Sequence, residues 1–193
     1  MQSGGVINLI LKRMIFTETK LQGAFIIEIR KIGDERGFFG RSWCKKEMEE
    51  QGLNGSIAQI NTSLSKFRGT LRGLHFQVAP YQECKMIRCT KGSIFDIIVD
   101  LRPDSTTFLQ WFGEELTEEN HKALYSPKGF AQGFITLTDN SEITYFTTDF
   151  YAPGFDRGVR WNDPHFGIRL PVEPVVISEK DQTWPDFSVD LLK

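Results

Sequence analysis

Short runs rich in Val, Ile, Phe and Thr, broken by Gly, Pro, Asn and Asp, recur along the chain from Gly23 to Pro171. Runs of that length and spacing predict strands of a sandwich or barrel. The candidates are AFIIEIR (24–30), SIFDIIVDL (93–101), TFLQWF (107–112), FAQGFITL (130–137) and EITYFTTDF (142–150). Helical signals are sparse. In SWCKKEMEEQGL (42–53) Ser42 stands in a capping position and Gly52 can end the helix; in LTEENHKAL (116–124) Thr117 is the cap and acids fill the first turn. The tail from Ser178 reads as a short Ser178-capped turn followed by a surface segment.

Alternation within the strands places polar groups among apolar neighbours. In GTLRGLHFQ (69–77) an extended backbone puts Gly73, His75 and Gln77 on one face with Leu71, and turns Arg72 to the other. Arg72 and His75 can serve one cavity only if the strand bulges, and Gly73 is where the backbone can do so. Tyr145 shares a face with Ile143 and Thr147, and Lys85 shares one with Ile87 and Cys89. A barrel lined by such faces encloses a cavity with a few directed polar atoms, as a small-molecule site requires.

Composition narrows the partners. The formal net charge of −2 over 193 residues offers no basic field for nucleic acid, so an anionic ligand must be met by local arginines. Three cysteines, Cys44, Cys84 and Cys89, form no CxxC pair and cannot all be paired within one chain. This points to a reducing, cytoplasmic compartment. The opening MQSGGVINLILKRM shows no cleavage site and falls far short of the ~20 apolar residues of a membrane span. Residues 1–13 therefore read as an extension, and 14–193 as a single domain.

The blocks GDERGFF (33–39), GTLRGLHFQ, KMIRCTKGSIFDIIVDLRPDSTTF (85–108), SPKGFAQGF (126–134), YFTTDFYAP (145–153), WNDPHFGI (161–168) and SEKD (178–181) occur in that order. Together they resemble the dTDP-4-dehydrorhamnose 3,5-epimerase family of nucleotide-sugar enzymes. The resemblance implies a mainly β, cupin-type jelly roll (a double-stranded β-helix) with a few short helices. It also implies a homodimer that exchanges N-terminal strands, and an epimerase that acts on a 4-keto-6-deoxy sugar nucleotide with no metal or cofactor.

Such a reaction explains the residue types. A ketone at C4 acidifies the hydrogens at C3 and C5; removing one leaves an enolate with its charge largely on O4, and reprotonation from the other ring face inverts the centre. The enzyme needs a base, an acid opposite it and a donor at O4. By resemblance His75 is the base, Asp181 its orienter, Tyr145 the acid and Lys85 the group near the keto oxygen. Arg36 and Arg72 match arginines that grip the diphosphate, and Gln59 and Asn61 stand where the family places further ligand contacts.

Two departures bear on mechanism and specificity. Where the family has a histidine in GFAHGF, this chain has Gln132. Glutamine can donate to O4 but cannot be cationic, a loss of about 1–2 kcal/mol of charge assistance. Near the position of a family glutamate that meets thymine stands Arg41, a donor suited to the acceptor edges of cytosine or guanine unless it points to solvent. The nucleotide therefore stays open between dTDP and a CDP or GDP carrier, as does the choice of C3, C5 or both. A metal-dependent cupin would need an HxH pair, and none of the three histidines has another two residues away. A non-catalytic sugar-nucleotide binder would have no use for a base, an orienter and an acid together.

Overall fold

The computed structural model describes residues 13–193. The expected N-terminal extension thus lies outside the described residues, save for Arg13. The strands are β1 (Ile15–Glu18), β2 (Phe25–Glu28), β3 (Ile32–Asp34), β4 (Gly37–Phe39), β5 (Gln59–Ser65), β6 (Thr70–Gln77) and β7 (Lys85–Lys91). After them come β8 (Ser93–Asp100), β9 (Trp111–Thr117), β10 (Ala123–Ser126), β11 (Phe130–Thr136), β12 (Ser141–Thr147), β13 (Asp156–Gly158) and β14 (Val176–Ile177). One sheet runs β1-β2-β10-β7-β12-β5; the other runs β13-β6-β11-β8-β9, with β14 parallel to β6. Non-consecutive neighbours in both sheets make this the expected mainly β jelly roll.

Period-two alternation sorts the apolar residues into three layers. Between the sheets pack Ile26, Ile87, Ile94, Ile98, Leu124, Phe134 and Ile143. Their chain neighbours point the other way: Ile97 and Val99 meet Val159, Phe166 and Phe187 beneath the second sheet, while Ile27 and Met86 meet Met48 and Leu53 outside the first. Six of the nine residues of SIFDIIVDL are apolar, because β8 lies between β11 and β9 and is covered on both faces.

Several local expectations hold and others fail for identifiable reasons. Helix α1 (Lys45–Glu50) forms, and Gly52, at φ +73°, closes it. Its N-cap is Cys44 rather than Ser42, with no side-chain cap. LTEENHKAL is not a helix. The Thr117 hydroxyl does cap a turn, accepting from Asn120 N at 2.9 Å, but Asn120 Oδ1 then takes the N–H groups of Thr117 and Lys122, and His121 sits at φ 52°. These local bonds satisfy the backbone in three residues, so the chain returns as β10. TFLQWF begins as a turn because the buried Asp100 carboxylate gathers Arg102, Ser105 and Thr107, delaying β9 until Trp111. Helix α2 (Glu179–Gln182) is capped by Ser178, whose Oγ accepts from Asp181 N at 3.1 Å.

The bulge anticipated at Gly73 is present. Gln132 pairs with His75 and Phe134 with Arg72, so Gly73 and Leu74 oppose Gly133 alone. Gly73 lies at φ 102°, and a Cβ there would stand 2.8 Å from Gly133 Cα and 2.9 Å from Gln132 O. The side chains of Arg72 and His75 thereby reach one cavity. Gly73→Ala is expected to lower stability by about 3 kcal/mol or more in urea unfolding, whereas Gly52→Ala, in open space at φ +73°, costs about 1–2 kcal/mol. Equal losses would mean that the bulge does not depend on the glycine.

Candidate functional site

A cavity of about 610 Å³ opens between the two sheets, within the range of small-molecule sites. β6 contributes Arg72, His75 and Gln77, β11 contributes Gln132, and the facing sheet contributes Lys85 from β7, Tyr145 from β12, and Gln59 and Asn61 from β5. Asp181 enters from α2. The predicted alternation carries through, with Ile143, Tyr145 and Thr147 all lining the cavity.

His75 Nε2 lies 2.6 Å from Asp181 Oδ1, and Asp181 Oδ2 accepts from Gly73 N at 3.1 Å. One carboxylate thus holds both the ring and the bulge beside it. The Asp181 side chain is 5% exposed and that of His75 42%, so the acid is buried behind a ring that faces the cavity. Burial would raise the Asp181 carboxyl, but the bonds to His75 and Gly73 outweigh it and hold the group below its ordinary value. With Nε2 engaged, Nδ1 remains for a ligand.

Across the cavity, Lys85 Nζ donates to Glu83 Oε1 at 3.0 Å and to His75 O at 3.2 Å. The Tyr145 phenol is raised first by burial and further by the negative charge of Glu83, with Arg72 opposing. Gln132 is buried; its Oε1 accepts from Ser126 Oγ at 2.6 Å and its Nε2 donates to Asp96 Oδ2 at 2.8 Å. One Nε2–H is left over. Behind it, burial pushes the Asp96 carboxyl up to about 8 against the Gln132 hydrogen bond, which favours a neutral pair at this point.

Two expected ligand residues are not brought to this chain's cavity. Arg36 sits in the turn of the exposed β3–β4 hairpin, its guanidinium held by Asp34 with an Nη2–Oδ2 distance of 2.5 Å. Arg41 is bound to the buried carboxylate of Glu47, which also accepts from Met14 N at 2.8 Å. Arg41 is therefore held by Glu47 outside this chain's cavity.

Sequence reasoning missed Glu83, Tyr151, Asp156, Arg157 and Lys180, all in the cavity wall. Lys180 stands inside SEKD and was within reach of that motif. Arg157 carried no local signal, since only the pairing of β13 with β6 brings it in. The charges here are mostly matched: Lys85 with Glu83, Lys180 with Asp156 at 2.7 Å, and His75 with Asp181. Among the described residues Arg72 and Arg157 meet only hydroxyl and carbonyl oxygens. Arg72 and Arg157 are thus the cavity's arginines without a carboxylate partner among the described residues, positioned for an anion.

Family comparison accords with this geometry. The dTDP-4-dehydrorhamnose 3,5-epimerase profile matches residues 18–189. The chain belongs to the dTDP-4-dehydrorhamnose 3,5-epimerase family. A family enzyme of that name from Methanothermobacter thermautotrophicus is 44% identical over 172 residues, covering 88% of this chain and 92% of the other. The crystal structure of the Bacillus anthracis dTDP-4-dehydrorhamnose 3,5-epimerase, with TDP and PPi bound, superposes with a TM-score of 0.87 at 43% identity, covering 91% of this chain and 100% of that one. The Legionella pneumophila dTDP-6-deoxy-D-glucose-3,5-epimerase, in complex with dTDP-4-keto-L-rhamnose, gives 0.83 at 38% identity, covering 89% and 92%. This epimerase-family chain shares that jelly roll, and among its described residues no helix is long and apolar enough to cross a membrane.

The lowered Asp181 carboxyl has a consequence for stability. A group whose folded value lies below its unfolded one, near 3.9, stabilises the fold above that pH and loses the contribution as pH falls through the folded value. Asp181→Asn should therefore cost stability at pH 6–7 in urea unfolding, and the difference from the unmodified chain should shrink as pH drops below about 4. A gap that stays constant down to pH 2 would show that the carboxylate charge is not what holds the site.

Proposed function

We propose that this protein is a dTDP-4-dehydrorhamnose 3,5-epimerase that inverts carbons flanking the C4 ketone of a dTDP-linked 4-keto-6-deoxy sugar. The observation that carries the reading is the placement of an aspartate-bound imidazole and a phenol on the two facing sheets, with both lining one cavity. His75 takes the proton through Nδ1. Asp181 keeps the ring in one orientation and stabilises the imidazolium as it forms. The enolate charge collects at O4, where the Lys85 ammonium and the spare Nε2–H of Gln132 supply donors. Tyr145 returns a proton to the opposite ring face.

Arg72 and the unexpected Arg157, neither paired with a carboxylate among the described residues, suit the diphosphate. Gln59 and Asn61, the inward polar residues of β5, serve as further contacts. With Arg41 committed to Glu47, nothing in this cavity favours cytosine or guanine, and the named ligands of the similar structures, TDP and dTDP-4-keto-L-rhamnose, support dTDP.

The reading includes a homodimer. β5 turns its polar residues inward and leaves Ile60 59% and Leu64 49% exposed on the outer face of an edge strand, an arrangement suited to burial against a second copy. The β3–β4 hairpin likewise exposes Phe38 and Phe39 beside Arg36. Exchange of this hairpin would carry Arg36 to the partner's cavity, giving it the diphosphate role it lacks within one chain.

In D2O, the protein supplied with dTDP-4-keto-6-deoxyglucose should wash deuterium into C3 and C5, as followed by NMR, with no comparable exchange on CDP- or GDP-linked analogues. His75→Ala should slow exchange at both carbons by about 10²–10⁴-fold. Tyr145→Phe should still lose protons yet form little inverted product. Undiminished exchange in the His75→Ala protein would place the base elsewhere, and exchange at one carbon alone would restrict the reaction to a single epimerisation.

A further inference from the structure

Glu83 is a buried carboxylate in the cavity wall to which the proton-transfer reading gives no step. Its side chain is 9% exposed, and both of its oxygens are used. Oε1 meets Lys85 Nζ at 3.0 Å, and Oε2 accepts from Gln77 Nε2. Gln77 is itself tied down: its two Nε2 hydrogens are shared among Glu83 Oε2, Tyr81 O and Phe150 O, and its Oε1 accepts from Ala152 N at 2.7 Å. The carboxylate therefore cannot swing. Lys85 in turn reaches His75 O at 3.2 Å. Its Cα pairs with Thr147, on the same face of β12 as Tyr145.

We propose that Glu83 is a positioning residue: it fixes the Lys85 ammonium against the backbone of His75 and, as a fixed negative charge in the wall of the cavity that Tyr145 also lines, keeps that phenol in its proton-donating form. This deepens the epimerase reading and rests on it. A neutral side chain at position 83 would let Lys85 move and would remove the repulsion that opposes phenolate formation.

Lys85 and Glu83 come from the segment that enters β7, Arg72 and His75 come from β6 with Asp181 behind them from α2, and Tyr151, Asp156, Arg157 and Lys180 complete the ionisable lining. β5, which pairs with β12, has no ionisable side chain. Burial raises the phenol first, Glu83 adds to it, and Arg72 pulls the other way. Loss of Glu83 therefore leaves burial opposed by Arg72, and the phenol ionises at lower pH.

The test is an NMR titration of the substrate-free protein with ring-labelled tyrosine, the Tyr145 signal being assigned by its absence in Tyr145→Phe. Glu83→Gln should move the Tyr145 midpoint to lower pH, and the charge-retaining Glu83→Asp should leave it closer to that of the unmodified chain. The alkaline limb of the kcat profile should shift in the same direction, with KM little changed. An unmoved or raised midpoint in Glu83→Gln would overturn the proposal. So would a Tyr145 midpoint at or below the free-phenol value of about 10 in the unmodified protein, a measurement that needs no variant to fold. Because the titration uses no substrate, its failure is distinct from failure of the epimerase reading, which would appear as an absence of deuterium exchange in the unmodified protein.

Discussion

The hydrogen bond between His75 and Asp181 joins residues 106 positions apart, and the site is organised around it. The same carboxylate accepts the Gly73 N–H, so it holds the ring and the irregular backbone that presents the ring. A regular strand would send Arg72 and His75 to opposite faces. With two residues of β6 facing one of β11, both side chains enter one space, and only glycine tolerates the close approach of Gly133 and Gln132.

The cavity is polar but nearly self-balanced. Buried charges are tolerated when paired and hydrogen-bonded, a condition that Glu83 meets with Lys85 and Asp181 with His75, while Asp156 pairs with the exposed Lys180 at the rim. The departure from balance is specific: Arg72 and Arg157 have no carboxylate among the described residues. An arginine with spare donors retains its capacity for an anion, whereas one already bound to Asp34 or Glu47, as Arg36 and Arg41 are, must first exchange partners. At Gln132 the chemistry is quieter still, since a neutral amide stands beside a carboxyl that burial drives toward neutrality.

Most of the fold is legible in the residues because strand alternation is a local property. Ile26 and Ile27, or Ile97 and Ile98, are neighbours that serve different cores, and the period of two says so before any sheet is assembled. The local readings fail where polar side chains bind the backbone instead of solvent. Asn120 converts an apparent helix start into a turn, and Asp100 replaces the first half of a strand with a hydrogen-bonded loop. Helix and strand propensities do not register such capture, since it depends on which backbone groups a short side chain can reach.

The sequence by itself determined the mainly β architecture, the inward faces of Lys85 and Tyr145, the need for a break at Gly73, and the motifs that mark the chain's family. These follow from side-chain period and residue chemistry, which travel with the chain. Tertiary structure alone decided that Arg157 lies in the cavity, that Arg41 belongs to Glu47, and that Glu83 stands between Gln77 and Lys85. The first turns on the pairing of β13 with β6, and the other two on which of several nearby polar side chains the folded backbone brings within about 3 Å of a charged group; such distances belong to the folded chain and have no counterpart in the order of residues.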